Sequence, residues 1–328
     1  MKPFRYSGAA DAQAAVTQVA RSTTAKFLGG GTNLVDLMRL EVETPTLLVD
    51  VSRLPYNQIE ELPDGILRIG AAVRNSVLAA DHAVRRRYPM LAQALLMGAS
   101  GQLRNQATVG GNLLQRTRCV YFQDVTKPCN KRHPGTGCSA REGDHRNLAI
   151  IGHSESCVAT HPSDMAVALV ALGAVVNVHG PEGKHRIPIV GFHRLPGDEP
   201  DRDTVLEHGD LITSVEVPPL NFGVRSRYRK VRDRASFAFA VVSIAAALDL
   251  EGDIIRDARI AFGGIAHAPW RAARAEEALK GEAASVEAFE NAADAELAEA
   301  RPLRDNGFKV PLARNLLLRT LTELSQAA

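Results

Sequence analysis

The sequence predicts an α+β protein in two parts that divide at Pro218-Pro219. Three observations carry this. Short apolar runs alternate with helical stretches through residues 1–219. A double proline, unable to donate to a sheet ladder, ends the strand-like run Leu211 to Val217. Beyond it the pattern changes to longer strands, then to an Ala/Glu/Leu-rich stretch after Trp270. At 328 residues the chain suits two or three domains of roughly 100–200 residues each. Such a length buries a core without disulfide staples.

Taken in order, residues 1–57 read as a small α/β unit. Asp11 to Arg21 is an Ala-rich helix. Lys26 to Leu28 is a strand that runs into three glycines, Asn33 to Arg39 starts a helix, and Thr46 to Asp50 is a second strand. Residues 58–219 read as a longer α+β region. Ile66 to Ile69 is a strand, and Ser76 to Arg87 and Leu91 to Met97 are helices. Ser163 caps a helix that reaches Leu172. Ala174 to His179 and His185 to Ile189 pair as a hairpin across Gly180-Pro181-Glu182-Gly183. In residues 220–328, Tyr228 to Val231, Phe239 to Leu248 and Ile254 to Phe262 are strands. They predict a small antiparallel sheet with helices on one face.

A net charge of +2 argues against a nucleic-acid or membrane-surface role, which needs a concentrated positive field. The longest apolar run, Phe237 to Leu248, falls far short of the roughly 20 residues that span a bilayer. The N-terminal stretch has no apolar core after its charges, so a chain folding in the cytoplasm is expected.

Two loops carry the first chemistry. Lys26, Phe27 and Leu28 lead into Gly29, Gly30 and Gly31, followed by Thr32, Asn33 and Leu34. Successive glycine N–H groups ahead of a helix make an anion nest. The spacing is neither that of a dinucleotide fingerprint nor that of a P-loop. The second loop, Ala107 to Leu114, offers Thr108, Gly110, Gly111 and Asn112. Each loop alone also reads as a plain turn; together they suit a diphosphate gripped from two sides. In HPSDMA, Ser163 and Asp164 open a helix, and Asp164 is either a helix-start charge or an acceptor for a ligand hydroxyl. In YRKVRDRASFAFA, Lys230 and Arg232 share one strand face.

All four cysteines, Cys119, Cys129, Cys138 and Cys157, lie in one stretch. Gathered cysteines suggest metal or redox chemistry. Structural zinc sites usually bring close C-x2–4-C pairs, which are absent. A four-thiolate iron–sulfur cluster ranks first on spacing, zinc second and free buried thiols third.

KFLGGGTNLVDLM, ATVGGNLLQRTRC, CVATHPSDMAVAL and YRKVRDRASFAFA, in that order, resemble the FAD-binding subunits of the xanthine dehydrogenase family. The resemblance runs over nearly the whole chain and is strongest to the bacterial periplasmic aldehyde oxidoreductases. It implies a two-lobed FAD-binding domain of the vanillyl-alcohol-oxidase type over residues 1–219, with sub-lobes 1–57 and 58–219. It also implies a C-terminal α+β domain over 220–328. Lys26 to Leu34 and Thr108 to Asn112 would hold the diphosphate. Ala107, Leu114, Ser163 and Asp164 would line the adenosine–ribityl path, and Ile212 and Lys230 would lie near the flavin ring. Cys119, Cys129, Cys138 and Cys157 would carry a 4Fe-4S cluster in the loop 119–157. The implied partners are a molybdenum-cofactor large subunit, a 2Fe-2S small subunit and an external electron acceptor. A partner with a twin-arginine signal would export the complex whole. The rival readings are a free-standing FAD-dependent reductase and a zinc-stapled scaffold.

Overall fold

A computed structural model describes residues 1–326. The N-terminal unit comprises β1 (Arg5–Gly8), α1 (Ala12–Ala20), β2 (Ala25–Leu28), α2 (Leu34–Arg39) and β3 (Leu47–Asp50). Asp11 starts α1 by accepting from the Ala14 N–H at 2.7 Å. The three strands form a parallel sheet in the order β1-β3-β2. Ala15, Val16 and Val19 of α1 are buried with Ala25 and Val49 of that sheet.

The second region begins with β4 (Ile59–Glu61) and β5 (Leu67–Gly70). Five short helices follow: α3 (Asn75–Ala80), α4 (His82–Arg87), α5 (Pro89–Met97), α6 (Gly101–Gln106) and α7 (Val109–Leu113). The expected single helix from Ser76 to Arg87 is two. Asp81 is extended between them and accepts from the Val84 N–H at 3.0 Å, so it stops one helix by capping the next. After α8 (Val120–Gln123) comes α9 (Asp164–Ala171). The hairpin of β6 (Val175–Gly180) and β7 (Gly183–Pro188) turns across Pro181-Glu182, and β8 (Leu211–Val217) completes the sheet. Its order is β4-β5-β8-β6-β7. Leu67, Ile69, Val176, Val215 and Val217 are buried in one core with Leu91 and Leu95 of α5 and the apolar length of α9.

The third region holds β9 (Ser226–Val231), β10 (Val242–Glu251), β11 (Ile254–Gly263) and β12 (Trp270–Arg271) in the antiparallel order β12-β11-β10-β9. It ends with α10 (Ala273–Leu279), α11 (Val286–Leu297) and α12 (Lys309–Gln326). The expected one-sided cover is a two-sided one. Along β10, Ile244, Ala246 and Leu248 join the core with the three C-terminal helices. Ala245 and Ala247 join the core of α5 and α9 instead. A strand repeats every two residues, so a run apolar at every position is buried on both faces.

Phe262 is fully buried in the core beneath the C-terminal helices. Phe262→Ala is expected to lower the unfolding free energy by about 3–5 kcal/mol, read from urea titration. A loss within experimental error would mean that this core is not packed as described.

Candidate functional site

Strand β2 delivers Gly29, Gly30 and Gly31 to the floor of a cleft of about 340 Å³. Gly31 has a φ of 74°, a left-handed conformation that favours glycine. A side chain on Gly30 would place its Cβ 2.2 Å from the Gln106 carbonyl oxygen. The first glycine loop therefore lies directly on the backbone at Gln106 and Ala107, and the Gln106 amide donates to the Gly30 carbonyl at 3.1 Å. Thr108 caps α7 by accepting from the Gly111 N–H at 3.2 Å. The second glycine loop is thus the opening turn of a short helix rather than a turn between strands.

Lys26 to Leu34, Thr108, Gly110, Gly111, Leu114 and Ile212 all line this first cleft. Ala107 and Asn112 lie beside it. The Asn33 side-chain nitrogen is buried with no hydrogen-bond partner in the protein. An unsatisfied donor among glycine N–H groups fits an oxygen-rich anion such as a diphosphate.

A second cleft of about 240 Å³ lies between residues 161–164 and the strands β10 and β11. Ser163 accepts from the Ala166 N–H at 3.0 Å and its hydroxyl donates to Asn112 Oδ1 at 2.5 Å. It therefore joins the start of α9 to the second glycine loop. Asp164, on the cleft wall, accepts from Tyr228 at 2.5 Å and from Lys230 at 2.8 Å. The Lys230 and Asp164 side chains are 1% and 7% exposed. Burial, with the Asp164 charge beside it, holds the Tyr228 hydroxyl well above its ordinary pKa. Lys230 in β9 and Arg232, one residue past the end of that strand, both reach the Met97 carbonyl, at 3.2 and 3.3 Å. Ile212 lines the first cleft, and Lys230 is paired with Asp164, which lines the second.

The four cysteines meet at one small cavity walled also by Phe122 and Lys131. All four are free thiols. Cys129 and Cys138 face each other across an antiparallel bridge. The loop between them is closed by Asn130 N–H to Gly137 carbonyl at 2.8 Å and Ser139 N–H to Pro128 carbonyl at 3.2 Å. Burial pushes the Cys119 thiol up to about 11 and the Cys157 thiol up to about 12. Thiols this costly to ionise need a cation in contact to become ligands. Among the described residues, no three His, Cys, Asp or Glu converge closely enough to hold a single ion. A cubane is wider than one ion and takes one thiolate at each of four corners; four cysteines on one cavity match it in number and type.

The sequence reading missed Arg116, Glu43, Arg118 and His161. Arg116 and Glu43 line the first cleft, Arg118 and His161 the second. Only the position of Arg116 and Arg118 between the second glycine loop and Cys119 could have signalled them. The His161 ring lies 4.3 Å from that of His193. Burial holds His161 well below the usual histidine range and His193 and His267 at about 4.

These three imidazoles fold neutral and must gain protons on unfolding. Their contribution is present above a pH of roughly 6.5, the unfolded value, and is lost as pH falls toward about 4. The thermal midpoint should therefore drop between these limits and less in His193→Gln; an equal drop in both would refute this. Lys230→Met leaves Asp164 as a buried, unpaired charge, and a loss of roughly 3–5 kcal/mol is expected. Lys230→Met with Asp164→Asn should recover part of it, measured by the same denaturant titration.

No helix among the described residues is long and apolar enough to cross a membrane. Two protein families cover the chain. Residues 2–220 match the FAD binding domain in molybdopterin dehydrogenase, and residues 226–324 match the CO dehydrogenase flavoprotein C-terminal domain. The aldehyde oxidoreductase FAD-binding subunit of Escherichia coli K12 is 51% identical over 324 residues, 98% of each chain. The xanthine dehydrogenase FAD-binding subunit of Escherichia coli O157:H7 is 24% identical, over 98% of this chain and 96% of that one. Reconstituted CO dehydrogenase from Oligotropha carboxidovorans has the same fold, with a TM-score of 0.78 at 22% identity and full coverage of both chains. With two glycine loops closing on one cleft and relatedness running from end to end, the chain belongs to the FAD-binding subunits of the xanthine dehydrogenase family.

Proposed function

We propose that this chain carries FAD and passes electrons from the 2Fe-2S centres of a small partner subunit to an external acceptor. The complex would be a molybdenum-containing aldehyde oxidoreductase whose large subunit oxidises the substrate. The observation that supports this best is the pair of clefts joined by Thr108, Asn112 and Ser163. Lys26 to Leu34 with Thr108, Gly110 and Gly111 would hold the diphosphate. Ile212 and Leu114 would serve the same cleft, with Ala107 and Asn112 shaping its edge. Ser163, Asp164 and Lys230 would serve the second cleft. FAD, when bound, supplies the exchange between paired and single electrons. The chain's part is to hold it, exclude water and fix the charge beside it.

Cys119, Cys129, Cys138 and Cys157 would hold a 4Fe-4S cluster, a reading supported by their shared cavity. The division at Pro218-Pro219 into residues 1–219 and 220–328 belongs to the same proposal.

The test is cofactor content of the chain purified anaerobically with its co-expressed partners. About four irons per FAD, without zinc, is the expected result. FAD without iron would leave the flavin reading and remove the cluster. Zinc without flavin would favour the stapled scaffold. Substrate- or NAD(P)H-driven flavin reduction in the isolated chain would favour a free-standing reductase.

A further inference from the structure

We propose that Arg116 is a positioning residue that couples occupancy of the cysteine cavity to retention of FAD at the glycine loops. The inference rests on the cofactor reading above. Arg116 lies in sequence between Gly111 and Cys119, and its contacts run both ways. Toward the glycine loop, its backbone N–H donates to Asn33 Oδ1 at 3.0 Å. Its Nη1 donates to Glu43 Oε1 at 2.8 Å, and Glu43 Oε2 pairs with Lys26 at 2.9 Å. Toward the cysteines, its Nε donates to Asp203 Oδ2 at 2.8 Å, and Asp203 Oδ1 receives Lys131. Its Nη2 donates to the Lys131 carbonyl at 3.3 Å. The guanidinium carbon sits 4.7 Å from the centre of the Phe122 ring. Lys131 and Phe122 form part of the cysteine cavity wall.

The inner links are charges taken largely out of water, while Lys26 at the cleft end is 45% exposed. The Lys131 side chain is 1% exposed and that of Glu43 9%. The cations hold the Glu43 and Asp203 carboxylates below their usual range. A buried charge that loses its partner is costly, so the pairs move together or re-pair together. Cys129 is close to Lys131 in the same loop. A shift of that loop would draw Lys131 from Asp203, free one arm of Arg116, and loosen Glu43, Lys26 and Asn33. Arg116→Lys would replace donors on three separate nitrogens by a single ammonium, so it would not hold Asp203, Glu43 and the Lys131 carbonyl in this arrangement.

Coupling of this kind commonly changes affinity by about 5–150-fold, and it is reciprocal. The experiment is a double-mutant cycle on the full chain with its partners. FAD affinity is measured by flavin fluorescence in the wild type, Cys138→Ser, Arg116→Lys and the double variant. Cys138→Ser is expected to weaken FAD binding by about tenfold in the native background, and by under about twofold with Arg116→Lys. As a measurement without a cysteine variant, chelator removal of iron should speed FAD release in the wild type and leave it unchanged in Arg116→Lys. Equal effects in both backgrounds, or none in either, would overturn the proposal while leaving the cofactor reading intact. Wild type without iron would overturn the proposal together with the cluster reading, and leave the flavin reading standing.

Discussion

Helix α9 is buried along its whole length, and its first residue carries a charge into that burial. Removing the Asp164 carboxylate and the Lys230 ammonium from water costs several kcal/mol per ion. Direct contact, the Tyr228 hydroxyl and the Met97 carbonyl offset that cost. Both ends of the helix are satisfied from elsewhere. Ser163 takes the Ala166 N–H at the start, and Arg271 donates to the Val170 and Ala171 carbonyls at the end, at 2.7 and 2.9 Å. These contacts reach β9 and β12, so the C-terminal sheet has one register against the glycine-loop region. The second cleft lies on that junction and inherits its rigidity.

The elements legible in the sequence are those with a local signature. Asp11 marks α1 through its side chain, Pro181-Glu182 marks the hairpin, and Pro218 ends β8. Elements that depend on tertiary context were not legible. Asp81 in a helical pattern reads as one more polar residue, because nothing local says that it will cap His82 onward. The two-sided burial of β10 was written in Ala245 and Ala247, yet alanine is compatible with either face. Short edge strands such as β1 and β4, exposed on most positions, have no periodic signal at all.

The candidate site divides along the same line. Glycine loops announce themselves because their backbone must approach something closely, and Gly30 does so against Gln106. Cysteines announce themselves by chemistry. Arg116 and Glu43 do neither. An arginine in a loop and a glutamate after a helix are usually solvated, and only the fold reveals that each is paired in the interior. The placing of Ile212 and Lys230 is of the same kind, because β8 and β9 belong to different sheets.

The second cleft also constrains what chemistry this chain can do itself. Each Asp164 oxygen is already engaged, one by Tyr228 and the other by Lys230. The Tyr228 proton is committed to that carboxylate, and its pKa lies well above neutral. His161 accepts from the Ser163 N–H through Nδ1 at 3.3 Å and stays neutral through burial. General acid–base catalysis needs a group with a free site and a pKa near the working pH. None of these three offers both. They form a wall that fixes charge and excludes water, which suits a tightly held redox cofactor better than bond-making on a substrate.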